Sequence, residues 1–137
     1  MMTEDGLITV QSRFGVTETI DRLAEVVKRA GLLVFARIDH QAGARDVGTA
    51  LRPTELLIFG NPKGGTPLIQ DQQPAGIDLP VKALAWEDEE GKVWLSYTDV
   101  HWIAERHDLR DASRDAVAAI AAGMEKVIAA AAGMDQS

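Results

Sequence analysis

Histidine is the side chain best suited to moving protons near neutral pH and to holding metals, and this chain of 137 residues has three. His101 and Glu105 stand four residues apart, which on a helix gives them one face and a possible shared ion. His107 falls about 240° further round such a helix and leaves the pair. The His-Glu-x-x-His zinc pattern is absent, so solvated or capping roles are the simpler account and no metal is expected. His40 follows Asp39, and with Asp39 or Asp78 it could supply acid/base groups. Neighbours on a strand point to opposite faces, so a pairing of Asp39 with His40 requires a turn there.

Polar residues also gather where strands should end: Asp39, His40, Asn61, Lys63, Asp78 and Lys82. They would converge only if those ends share one edge of a sheet. Asn61 and Asp78 suit turns that bond nearby backbone, and Lys82 suits the solvent face of a strand. Arg37, Arg45 and Arg52 could add an anion site beside Lys63, since guanidinium groups grip carboxylate or phosphate bidentately. Interleaved Asp39, Asp46 and Glu55 favour surface ion pairs instead. From these groups we expect a ligand site at Asn61, Lys63, Lys82 and Arg52.

Gly60-Asn61-Pro62-Lys63-Gly64-Gly65 imitates a phosphate loop, but Thr66 and Pro67 stand where that loop needs Lys and Ser or Thr. The same letters predict Thr66 as an N-cap and Pro67 as the first residue of a short helix. No serine lies in a Gly-x-Ser-x-Gly elbow. Glu87-Asp88-Glu89-Glu90 reads as a solvated hairpin tip. Trp86, Trp94 and Trp102 could stack on a ligand, although core and dimer contacts suit them better.

These residues need a scaffold, and apolar spacing predicts one. Leu7 to Gln11 alternates as a strand; Val16, Ile20, Leu23 and Val27 mark a helix that Gly31 stops. Leu32 to Ile38 is almost wholly apolar and reads as a central strand buried on both faces. A short irregular helix is expected within 39–50, then a strand from Glu55 to Gly60. A hairpin pairs Val81 to Glu87 with Lys92 to Thr98, a helical turn covers Val100 to Arg106, and a long helix spans about 111–133 with a frayed end from Gly133. The order β-α-β(4)-α, with minor inserted helices, predicts an α+β two-layer sandwich: a mostly antiparallel sheet carrying its helices on one face. The apolar second strand, Trp86 and Trp94 then leave a second face to hide, which a homodimer would cover.

Composition narrows the function. One domain over 1–137, 46% hydrophobic, suffices for a single core. The net charge of −7 argues against nucleic acid and anionic membrane as partners. The absence of cysteine removes disulfides, thiolate zinc sites and thiol nucleophiles. The acidic N-terminus and the lack of a long apolar run read as a soluble, cytoplasmic protein.

Several segments together resemble the family known as domain of unknown function 302. They are Phe14 with Thr17-Glu18-Thr19, Gly31 before the strand ending Ile38-Asp39-His40, and Pro53-Thr54-Glu55 running into Leu57-Ile58-Phe59-Gly60-Asn61-Pro62. Asp78-Leu79-Pro80 and Trp86-Glu87-Asp88 with Gly91 complete them. The resemblance covers about 6–109, most specifically through Phe59-Gly60-Asn61-Pro62 and Leu79-Pro80. It implies a TATA-binding-protein-like fold and homodimers, and supplies no reaction, cofactor or catalytic residue. The expected function is a homodimeric, non-catalytic module that binds a small molecule. The alternatives are an enzyme using His40 with Asp39 or Asp78, and a structural protein-protein interaction domain.

Overall fold

Alternating burial along the central strands fixes which side chains meet the helices. In the computed structural model, which describes residues 4–134, the strands are β1 (Leu7–Ser12), β2 (Leu33–Asp39), β3 (Thr54–Gly60), β4 (Val81–Glu87) and β5 (Val93–Thr98). The helices are α1 (Val16–Arg29), α2 (His40–Asp46), α3 (Pro62–Asp71), α4 (Val100–Arg106) and α5 (Arg114–Ala132), with 3-10 turns at Gln73–Asp78 and Asp111–Ser113. The strands form one antiparallel sheet in the order β1-β5-β4-β3-β2. Leu57, Phe59, Ala83, Ala85, Leu95 and Tyr97 point to one face and meet the apolar stripe of α1 and the Met124, Val127 and Ile128 side of α5. The α+β two-layer class expected from the sequence is the one observed.

Each large side chain in that layer contributes about 1.5–3 kcal/mol by leaving water. Ala83 and Ala85 are small enough to let α1 approach the middle of the sheet. Arg22 of α1 donates from Nε and Nη2 to the Ala131 and Ala130 carbonyls at 3.1 and 2.9 Å, so a cation closes the electronegative end of α5. Gly133 and Met134 return their amides to Ala130 and Ala129, so a left-handed glycine caps α5 at the point where fraying was expected to begin. The rest of that expected tail, 135–137, lies outside the described residues.

Two boundaries and one placement differ from expectation. α3 starts at Pro62, not Pro67: Asn61 Oδ1 accepts the Lys63 amide at 3.0 Å, Pro62 takes the first helical position, and Pro67 lies inside the helix. Two prolines follow possible caps here, and the earlier one wins because β3 ends directly on its cap. The long helix becomes a 3-10 turn and then α5, since the Ser113 hydroxyl is drawn to Asp71 instead of capping. β2 is an edge strand and not a central one. Its apolar run reflects a register shift between Val34 and Ala36 and an uncovered face, and Leu33, Phe35 and Ile38 are exposed.

A polar knot joins β2 to α1. The Glu55 side chain, only 8% exposed, faces Arg37, whose Nε and Nη2 lie 3.0 and 2.9 Å from Oε1. Thr17 donates to Glu55 Oε2 at 2.6 Å, and Arg37 also reaches Asp21 at 2.7 Å. Burial draws the Arg37 pKa down, but the hydrogen bonds to Asp21 and Glu55 outweigh it and the net shift is upward.

The opposite sheet face carries Ile38, Leu56 and Leu84 in register, flanked by Ala36, Ile58 and Trp86. Trp86 donates to Ser96 Oγ at 2.9 Å, while the Trp94 indole donates to Asp88 at 2.8 Å and closes the hairpin. That indole, helped by the Lys92 and Glu90 amides, holds the Asp88 carboxyl below its ordinary pKa. Asp88 is thus a structural member of a tip that was expected to be merely solvated.

Candidate functional site

The end of the sheet where β3 stops and β4 begins is hollow. β3 runs out at Gly60, and the Asn61 carbonyl accepts the Gly64 and Gly65 amides, both at 2.9 Å, winding α3 tightly over the opening. At the far end of α3, Asp71 accepts the Ser113 hydroxyl and the Arg110 amide, both at 2.7 Å, which ties α3 to the start of α5. The Ser113 hydroxyl and then the Arg110 amide keep the Asp71 carboxyl below its ordinary pKa, so the tie is made to a carboxylate.

A second tie holds the opposite wall. Asp78 accepts Arg106 Nη1 on both oxygens at 3.0 Å and lies 2.6 Å from His107 Nε2, pinning the turn before the cis Leu79–Pro80 bond to the end of α4. Between these walls lies a cavity of about 400 Å³. Ile120, Gly123, Met124 and Val127 of α5 line one side; Gly64, Gly65 and Ile69 of α3 another; Leu79, Pro80 and Phe59 a third. Phe35 reaches it from the β2 bulge. Among the described residues no Asp, Glu, Lys, Arg or His borders it, and Asn61 and Thr66 are the polar side chains they contribute. Such a site can hold an apolar body, and the described residues lining it offer no group for acid/base or metal chemistry.

The expected residues are thereby separated. Asn61 lines the cavity. Lys63 is exposed on α3 outside the lining, and Lys82 lies on the open sheet face opposite Ile58. Arg52 donates to the Glu87 carbonyl at 3.1 Å, at the other end of the sheet. Asp39 caps α2 by accepting the Ala42 amide at 2.9 Å, and His40 is exposed beside it. Asp39 pairs with Glu55, while Asp78 comes three residues before Val81, which pairs with Phe59, so the two reach β3 at positions about 14 Å apart at roughly 3.4 Å per residue. His40 and Asp78 are therefore not brought together, and Asp78 has His107 as its imidazole.

His101 and Glu105 lie exposed on α4, and among the described residues no group of three or more His, Cys, Asp or Glu is placed to hold a metal. Arg37 goes to Glu55 and Asp21, not to an anion site with Arg45 and Arg52. Trp102 packs against Gly6, away from the cavity lining. The α5 contribution was not foreseen. Its one signal was Gly123, an interior glycine in an alanine-rich helix, where glycine costs about 1 kcal/mol relative to alanine.

The chain is 52% identical over 130 residues to proteins called fluoride-specific ion channel FluC 1 in Brucella suis and in Brucella abortus. The match takes 95% of this chain but 51% and 48% of theirs, so the chain spans about half the length of these curated relatives. No helix among the described residues is long and apolar enough to cross a membrane. The fold is similar to the crystal structure of an uncharacterized conserved DUF302 protein from Bacillus stearothermophilus, with a TM-score of 0.76 at 22% identity, over 93% of this chain and 96% of that one. The model of the family described as domain of unknown function DUF302 matches residues 8–131, reaching beyond Leu109 through almost all of α5. With Phe59-Gly60-Asn61-Pro62 and Leu79-Pro80 meeting at one cavity and the match running nearly end to end, the chain belongs to the DUF302 family.

Proposed function

We propose that the protein is a homodimeric, non-catalytic module that binds a small molecule in the cavity between α3, α5 and the Leu79–Pro80 turn. The observation that carries this reading is the cavity itself: its volume lies within the roughly 300–1,000 Å³ of small-molecule sites, and two helices are tied down around it. The acid/base alternative draws no support from the geometry, since Asp39 serves as a helix cap and His40 lies at the other end of the sheet from Asp78. The alanine-rich stretch of α5 buries Ala131 and Ala132, leaving less of it to serve the interaction-domain alternative.

Dimerisation is supported by the open sheet face, where Ile38, Leu56 and Leu84 form an apolar row that a second copy could cover. Native mass spectrometry of the purified protein at micromolar concentration is expected to give a dimer carrying a small organic molecule, and Leu84→Arg a monomer. A wild-type monomer would overturn the dimer, and a protein that neither retains nor takes up any small molecule would overturn the binding function.

A second reading rests on the 52% identity to half of the Brucella fluoride channels. In it the chain serves beside a fluoride-conducting membrane protein and does not itself conduct, consistent with the lack of a membrane-crossing helix among its described residues. Deleting the chain should then raise cellular fluoride sensitivity, read as growth against fluoride concentration. Unchanged sensitivity would remove this reading.

A further inference from the structure

Three helical glycines from two different helices border the cavity: Gly64 and Gly65 in α3 and Gly123 in α5. Glycine inside a helix has to be explained, because alanine is the better helix former at every such position. Two structural explanations fail here. None of the three has the left-handed backbone that favours glycine. None is crowded either: a Cβ built at Gly64 or Gly123 meets nothing within 4 Å beyond its own chain neighbours and helix backbone, and one at Gly65 meets only Leu79 Cδ1, at 4.0 Å. What the missing side chains do is leave space, and the space is shared.

Gly43 of α2 shows that a helical glycine can also occur where it borders nothing, since it is exposed and uncrowded. What sets Gly64, Gly65 and Gly123 apart is their convergence upon one cavity, beyond any helix preference. The lining supplies the chemistry. An ionised ligand would leave water for a wall whose described residues offer no charged partner, which is unfavourable, whereas an apolar one displaces water from Ile69, Ile120, Met124 and Phe35.

We propose that Gly123, Gly64 and Gly65 set the size of this cavity and that its ligand is an uncharged, apolar small molecule lying across Gly123. The inference rests on the reading of the cavity as a binding site and adds to it the ligand class and the residues that determine size. Gly123 is a specificity-determining residue, and growth of its side chain should exclude the ligand while leaving the helix better formed.

The test uses two fluorescent probes with the same apolar skeleton: N-phenyl-1-naphthylamine, uncharged, and its sulfonated relative 1-anilinonaphthalene-8-sulfonate. The wild-type protein is expected to bind the uncharged probe at least tenfold more tightly. Gly123→Met should weaken that binding at least tenfold, with Gly64→Met doing the same from the other wall, and Gly43→Met should leave it unchanged. Gly123→Ala should raise the melting temperature by about 3 °C, the effect of a helix-propensity gain in a domain of this size. A wild-type protein that binds neither probe overturns the binding-site reading itself. Binding that survives both Gly123→Met and Gly64→Met overturns this inference alone. Tighter binding of the sulfonate overturns the ligand class, and a lower melting temperature for Gly123→Ala overturns the claim that the glycine serves only to leave space.

Discussion

Arg37→Ala is expected to destabilise the protein by about 3 kcal/mol, measured as the loss in unfolding free energy from urea titration at neutral pH. Removing the partner of a buried carboxylate leaves it charged and without compensation, which costs about 3–5 kcal/mol where the whole pair is buried. The lower end applies because the Arg37 side chain is itself 33% exposed while that of Glu55 is 8%. Thr17 would still donate to Glu55 Oε2, but a hydroxyl hydrogen bond does not neutralise a carboxylate. Replacing both residues, as Arg37→Met with Glu55→Met, should cost much less than Arg37→Ala alone, since no buried charge is left behind. A single-mutant loss below about 1 kcal/mol, the range of exposed pairs, would mean that water reaches Glu55.

A loss of similar size is expected from Gly6→Ala. Gly6 is buried with φ +76°, and a Cβ there would lie 2.3 Å from Cγ and 2.7 Å from Cβ of Trp102. The left-handed backbone costs a non-glycine residue about 1–2 kcal/mol. The contact adds about 1–3 kcal/mol because it involves the root of the indole, so α4 has to shift. That shift would strain the Asp99 amide bond to the Gly6 carbonyl, 2.8 Å, which joins β1 to the start of α4. In the double variant with Trp102→Ala, the steric part should vanish and the two losses should fail to add. Thermal or urea unfolding of the four proteins checks this. Additive losses would show that the clash is relieved without moving the helix.

The elements that bury a regular stripe were legible from the chain. Val16, Ile20, Leu23 and Val27 repeat at the helical period, and Val93, Leu95 and Tyr97 alternate with Trp94 and Ser96, so α1 and the last hairpin follow from residue spacing alone. β2 was misplaced because an apolar run has the same letters whether protein or nothing covers its second face. Only pairing decides between them, and β2 pairs with β3 alone. The cavity was half legible. Asn61 was found through its loop, but Gly123 and Met124 lie some sixty residues further along, and nothing local to them says which sheet end α5 will cross. Asp39 and Asp78 were grouped as strand-end residues, yet β2 and the approach to β4 meet the sheet at opposite ends, which composition does not encode.

One consequence of the β2 irregularity concerns the company the protein keeps. An edge strand with apolar side chains is a template on which other chains can extend the ladder, and indefinite growth follows if its geometry is regular. The shift between Val34 and Ala36 interrupts that template midway. The edge is thereby spoiled as a seed for fibrils while the flat of the sheet stays free, so any self-association through that flat can close upon itself instead of propagating.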